Sequence, residues 1–206
     1  ACVIAGLIAL SALTRGGRTT MLLREAFGEI DIEDLPIEFA CLSSDLTRGT
    51  EVVHRSGLLW RWLRASSAVP GILPPLFHDG HVYVDGAVVN NLPTDVLSDA
   101  GLERIIAVDI SGDDMLTARV EETESPPLPR LWAQRREGVR PDAFSILVRA
   151  GMINSEAGSA RRRKLANLLL RPDLGAIGLL DWDQFARAIE AGYRYTRDKL
   201  QEQGSD

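Results

Sequence analysis

The stretch Ala65-Ser66-Ser67-Ala68-Val69-Pro70-Gly71-Ile72-Leu73-Pro74-Pro75, followed after a short apolar run by Val84-Asp85-Gly86-Ala87-Val88-Val89-Asn90-Asn91-Leu92-Pro93, organises the reading of this chain. Val82-Tyr83-Val84 is strand-like, and an Asp-Gly pair directly after it marks the point where a strand gives way to a tight turn. Gly86 lacks a Cβ, so another backbone or a ligand can come close there. A carboxylate at that point is well placed for chemistry. It is equally well placed to hydrogen-bond the turn, because Asp-Gly is a common turn pair. Local sequence leaves both roles open for Asp85.

Working upstream, Leu58 to Ser66 reads as a helix with Leu59, Leu63 and Ser66 on one face and Arg61 and Arg64 projecting elsewhere. Trp60 and Trp62 are expected to pack in the core, with contact to a wet apolar interface as the other use of tryptophan. Ile37–Leu42 and Glu51–His54 read as strands, separated by a turn running from Ser43-Ser44-Asp45 to Gly49. Thr20–Phe27 reads as a short amphipathic helix ended by Gly28. Residues 1 to 13 are small and apolar without alternation, which suits a buried helix.

Downstream, His78 and His81 flank Asp79-Gly80 in an expected hairpin. Pro93 to Gly101 has a proline at its start and a glycine at its end, the asymmetry of a helix. Arg104–Ile110 is a continuous apolar run of the kind that is covered on both faces. Strand, helix and strand in that order imply a crossover and a largely parallel layer, so the expected class is α/β. Residues 111–141 crowd acids and prolines around Leu128–Trp132 and read as a mobile surface excursion. There, Leu128, Leu131 and Trp132 beside Arg130, Arg135 and Arg136 either form a membrane-facing lid or pack within the loop. A helix over Asp142–Ala160, a buried strand over Leu165–Leu170, and a last helix starting near Asp181-Trp182-Asp183 complete the scaffold.

The 206 residues, 45% hydrophobic and 25% charged, fit one domain spanning 1–206 whose core needs neither disulfide nor metal. A net charge of −6 argues against nucleic-acid binding and makes Arg161-Arg162-Arg163-Lys164 the expected solvated face of a helix end. Cys2 and Cys41 lack metal-ligand spacing and read as reduced thiols of a cytoplasmic protein. No apolar run is long enough to span a bilayer, and the first ten residues lack the basic leading segment of a signal peptide.

The Ala-Ser-x-Ala-x-Pro-Gly run, Pro74-Pro75, Asp85-Gly86-Ala87 and Asn91-x-Pro93 resemble the second half of the patatin-like phospholipase domain, in the branch that includes neuropathy target esterase. Ile32-Glu33-Asp34-Leu35-Pro36 and Asp45-Leu46-Thr47 before the motif extend the resemblance. So do Ile105–Ile110, Leu170-Arg171-Pro172 and Asp183-Gln184-Phe185 through Gly192-Tyr193 after it. The resemblance implies a three-layer fold with a mostly parallel central sheet and helices on both faces. It also implies that the chain lacks the N-terminal part of the domain. It makes Asp85 the base of a Ser-Asp dyad, with Gly86 and Ala87 completing its motif, and implies phospholipid or lysophospholipid substrates at a membrane surface and no catalytic cofactor.

Covalent ester hydrolysis needs a nucleophile, a base and donors for the oxyanion. No serine here has a glycine two positions before it, as the Gly-x-Ser-x-Gly elbow requires. The expected enzyme is therefore a lipid acyl hydrolase of which this chain holds the Asp, and the alternative is a non-catalytic lipid- or partner-binding module on the same fold. A histidine triad using His54, His78 or His81 depends on geometry. A metal site at His78, Asp79 and His81 lacks a fourth ligand.

Overall fold

The computed structural model describes residues 16–111, 119–121, 124, 126–137, 141, 143–174, 177 and 182–203. The helix expected over residues 1–13 lies outside them. The chain divides into two compact units, Ala1–Asn91 with Leu116–Gly158, and Leu92–Met115 with Ser159–Asp206.

In the first unit, helix α1 (Gly17–Phe27) begins three residues before the expected start and ends at Gly28, whose φ of 57° is the left-handed stop that glycine accepts. A four-stranded sheet follows, built from β1 (Cys41–Asp45), β2 (Thr50–His54), β3 (Leu76–His78) and β4 (His81–Asp85), in the order β2-β1-β4-β3. Helix α2 (Leu59–Ser66) lies between β2 and β3 in sequence. Every pairing in this sheet is antiparallel, with Ser43 opposite both Val52 and Asp85. The class is α/β, as expected; within this four-stranded sheet, however, neighbouring strands run antiparallel. The reason lies in the connections: four residues join β1 to β2, and Asp79-Gly80 alone joins β3 to β4, too short for a crossover. Asp79 (φ 49°) and Gly80 (φ 77°) both take positive φ, as a two-residue hairpin of this twist requires.

The first strand is displaced from its expected place. Ser43, Ser44 and Asp45 read as turn residues, yet they form the second half of β1 and are fully buried. Burial of three polar side chains is tolerable because each has partners. Ser43 Oγ lies 2.7 Å from His54 Nε2, and Ser44 Oγ donates to the carbonyl of Asp85 at 2.9 Å. Asp45 Oδ1 accepts the N–H of Thr47 at 2.9 Å.

The apolar centre of this unit gathers Ile32, Cys41 and Leu59, with Phe27, Leu35, Phe39, Trp62 and Leu63 packed against them. Glu33 Oε2 accepts the Gly57 N–H at 2.7 Å, and Leu59 N donates to Ile30 O at 3.0 Å. Thus Ile30 to Glu33 pins the start of α2. Within 111–141 the described residues include helix α4 (Leu128–Arg136), which exposes Leu128 and Trp132 and half-buries Leu131.

The second unit contains α3 (Thr94–Asp99), β5 (Ile106–Val108), β6 (Leu168–Leu170) and α6 (Phe185–Gln203); α5 (Ala143–Arg163) starts in the first unit and ends in this one. β5 pairs in parallel with β6. Contrary to the expectation of cover on both faces, the described residues bury only one row: Ile105, Ala107 and Asp109 are inside, while Ile106, Val108 and Ile110 are exposed. The alternation is the period of two inherent to a strand, which an all-apolar run hides.

The basic cluster at the end of α5 is likewise not simply solvated. Arg162 Nε pairs with Asp95 at 2.8 Å and Arg163 Nε with Asp109 at 2.6 Å, leaving Arg161 and Lys164 as the exposed members. Asp109 also accepts from Ser111 N and lies 3.4 Å from Arg171 Nε. Burial raises its proton affinity, but the bonds from Ser111 and Arg163 outweigh that and hold the carboxyl below the usual range.

Candidate active site

Asp85 is the last residue of β4, and three neighbouring segments fix its backbone and side chain. The turn after α2 supplies the Ala68 carbonyl, which accepts the Asp85 N–H at 3.0 Å. That approach explains the small residues of the Ala-Ser-x-Ala run: Ala65 and Ala68 are both fully buried, with no room for a longer side chain. From β1, Ser44 Oγ holds the Asp85 carbonyl. On the far side the chain enters a 3₁₀ turn, Gly86–Val88, and Asp85 Oδ1 accepts the Ala87 N–H at 2.8 Å as its cap.

Gly86 packs directly on β1. A Cβ at this position would lie 2.7 Å from the Leu42 carbonyl oxygen, closer than side chains come to backbone. Glycine is therefore required by contact and not by φ. The Gly86 carbonyl then accepts Asn90 N at 2.8 Å, and Asn90 Nδ2 donates to Glu51 Oε2 on β2 at 2.9 Å. Asn91 N donates to Ser155 Oγ at 2.8 Å. The Asp-Gly-Ala and Asn-Asn segments are thus one folded unit clamped to β1, β2 and α5.

Asp85 does cap its turn, as its local sequence permits, but capping engages one carboxylate oxygen through one N–H. The side chain is half-buried, and burial raises its pKa above the ordinary 3.8 while the Ala87 N–H pulls the other way. A carboxylate in that condition is a stronger base than an exposed one.

Among the described residues the histidines bond to groups other than Asp85. His54 stacks on Trp62 with ring centroids 3.8 Å apart and meets Tyr83 edge-on. It is buried, and burial drives its pKa down to about 4, so the ring is neutral at physiological pH. Its partner Ser43 is wholly enclosed. A serine–histidine pair exists here, yet neither member meets solvent, and no substrate reaches it as a nucleophile must be reached. His81 turns to Asp45, with Nδ1 2.8 Å from Oδ2, while His78 Nε2 lies 3.4 Å from Asp79. His78, Asp79 and His81 therefore do not converge on one point. Cys41 is buried, its thiol pushed up to about 11, and so is inert.

Sequence reasoning missed Ser44 as the support of Asp85, and it placed Arg64 away from the packed face. Arg64 is in fact buried, donating from Nη2 to the Pro74 carbonyl at 2.8 Å, and burial lowers its pKa. The available signal was positional: Arg64 precedes Ala65 in a helix whose end dives into the core.

The model of the patatin-like phospholipase family matches residues 3–98, which contain Asp85 together with Ser44, Ala68, Gly86 and Ala87. The chain belongs with the patatin-like phospholipases, in the neuropathy target esterase branch. An NTE family protein of Mycobacterium tuberculosis is 32% identical over 203 residues, covering 95% of this chain and 34% of its own length. A lysophospholipase of Pyricularia oryzae is 28% identical over 199 residues, 93% of this chain and 13% of the fungal protein. The neuropathy target esterase of Drosophila melanogaster is 37% identical over 107 residues, 51% of this chain and 8% of the fly protein. This patatin-like chain thus spans about a third of the mycobacterial relative and a smaller share of the other two. Among its described residues no helix is long and apolar enough to cross a membrane.

Proposed function

We propose that this chain supplies the base half of a lipid acyl hydrolase, with Asp85 as the proton acceptor for a serine nucleophile. The observation that carries the reading is the placement of Asp85: a half-buried carboxylate at a strand end, raised in pKa by burial, held rigidly by Ala68, Ser44 and the Ala87 N–H. Asp85 takes the serine hydroxyl proton as the oxygen attacks the acyl carbonyl, and it returns that proton to the departing alcohol. Water, deprotonated by the same carboxylate, then releases the fatty acid from the acyl-serine. Gly86 and Ala87 hold Asp85 at the reacting point, Gly86 by its contact with Leu42 and Ala87 by its N–H.

The substrate class is a single- or double-chain phospholipid, which agrees with the lysophospholipase name of the fungal relative. Helix α4 presents Leu128 and Trp132 four residues apart, flanked by exposed Arg130 and Arg136, as a contact for an anionic membrane surface. No serine of the 206 residues stands in a Gly-x-Ser-x-Gly setting, so in this reading the 206-residue chain by itself does not hydrolyse esters or react with a fluorophosphonate probe. Joined to a segment bearing the elbow serine it does both.

The decisive substitution is Asp85→Asn in the serine-bearing protein. The amide keeps the shape and accepts the Ala87 N–H but is not a base. Hydrolysis of a lysophospholipid is expected to vanish while the thermal midpoint holds or rises. Retained turnover would reduce Asp85 to a turn cap and favour the binding-module reading.

A further inference from the structure

The N-terminal end of α1 opens a groove of about 850 Å³ that does not include Asp85. Its walls are Met21, Trp60, Pro74, Pro75 and Leu76, so most of it is apolar. Its charged side chains are Arg24, Glu25 and Arg64. Arg64 is 4% exposed, and among the described residues only Nη2 is used, on the Pro74 carbonyl; Nε and Nη1 are buried without an acceptor there. The buried Trp60 Nε1 also lacks one. Leaving a guanidinium out of water with two unmet donors is costly unless an acceptor arrives.

The helix end adds to this. Gly16 precedes α1 with φ 64° and caps it with no side chain, and the first ladder bond is Thr20 N to Gly16 O. The N–H groups of Gly17, Arg18 and Thr19 therefore stand ahead of the ladder at the positive end of the helix dipole. Gly16 is where the two features meet: a Cβ there would lie 2.8 Å from Arg64 Nη2 and 2.7 Å from Pro74 Cγ. The one acid of the lining, Glu25, is eight residues along α1 from Gly17, roughly 12 Å away at the helical rise. Arg24 lies between, stacked over Trp60 at 4.6 Å.

We propose that Arg64 and the N-terminus of α1 form a phosphate-oxyanion site, with the apolar walls receiving the chain of a phosphate-bearing amphiphile. A tetrahedral oxyanion uses several convergent donors, which suits guanidinium and helix N–H groups together. The inference stands on these donors alone, so it survives or fails independently of the role of Asp85.

The test is calorimetric titration of the intact protein with decyl phosphate below its micellar concentration, with inorganic phosphate, and with decanol. Decyl phosphate is expected to bind one to one, to weaken as salt is added, and to lose at least tenfold in affinity in Arg64→Gln. Because Arg64 is buried and its loss can disturb folding, Met21→Glu provides the second variant: Met21 is 58% exposed and one turn from Gly17, so this change places an anion in the groove without touching the core. It too is expected to weaken binding tenfold. Binding of inorganic phosphate that both variants abolish supports a site for free phosphate as well. Binding of decyl phosphate alone assigns it to a lipid phosphate. Equal binding by the wild type and Met21→Glu, equal affinity for decanol and decyl phosphate, or no binding overturns the proposal.

Discussion

Lowering the pH from 7 to 5 should cost this protein about 2 kcal/mol of stability through one side chain, His54. An unfolded histidine titrates near 6.5, and burial holds His54 down to about 4 in the fold. The folded pKa is depressed, so the contribution is fully present above 6.5 and is lost as pH falls toward 4, because the unfolded chain takes up a proton that the folded one refuses. At pH 5 the unfolded ring is almost wholly protonated and the folded ring almost wholly neutral. About 1.4 kcal/mol per unit over the 1.5 units below 6.5 gives the 2 kcal/mol. The physical cause is plain: His54 is sandwiched on Trp62, touches Tyr83 and Ser43, and is only 6% exposed, so a charge there has no water. Urea unfolding at pH 7, 6 and 5, for wild type and His54→Gln, separates this group from every other titrating residue. Glutamine does not titrate, and whatever it costs in packing is the same at each pH. The wild-type midpoint should drop by roughly 1 M between pH 7 and 5 at an ordinary urea slope, and the variant's by much less. Parallel pH profiles for the two proteins would refute the reasoning.

Gly86→Ala should destabilise by about 1–3 kcal/mol, the usual range for forcing a methyl into a filled space, since its Cβ meets the Leu42 carbonyl at 2.7 Å and backbone cannot turn aside. A midpoint equal to wild type would show that β1 yields there. Replacing Leu128 and Trp132 together by serine should reduce co-sedimentation with anionic vesicles while leaving stability almost unchanged, because both side chains are largely exposed. Leu131 is left in place because it is half-buried, and equal vesicle binding would remove the membrane contact from the reading.

What was legible in the sequence is what local chemistry dictates. Gly28 stopping α1, Asp79-Gly80 closing a hairpin, and proline and glycine bounding α3 are each decided within a few residues, and each stands where expected. The strand end at Asp85 was legible for the same reason. Sheet direction was not, because it depends on which strands meet. β4 pairs with β1 and β3, while β5 finds β6 some sixty residues later in the chain. The order strand, helix, strand carries no record of that choice.

The polar half of β1 shows why support for a site is harder to read than the site. Ser43-Ser44-Asp45 has the composition of a turn, and a turn was the reasonable expectation. In the fold each of the three is buried against a residue far along the chain: Ser43 against His54, Ser44 against Asp85, Asp45 against His81. Burial raises the proton affinity of Asp45, yet the Thr47 and Arg48 N–H groups and His81 together hold its carboxyl below the ordinary range, so it remains charged in the interior. Such side chains contribute little as isolated hydrogen bonds but are costly to leave unpaired, so they fix one register of β1 against β4. That register sets Ser43 opposite Asp85 and brings Ser44 Oγ to the Asp85 carbonyl. A slip of one residue would point β1's polar side chains to the wrong faces and leave Asp85 unsupported. The fold thus specifies where the carboxylate sits through three polar residues that sequence composition assigns to a loop.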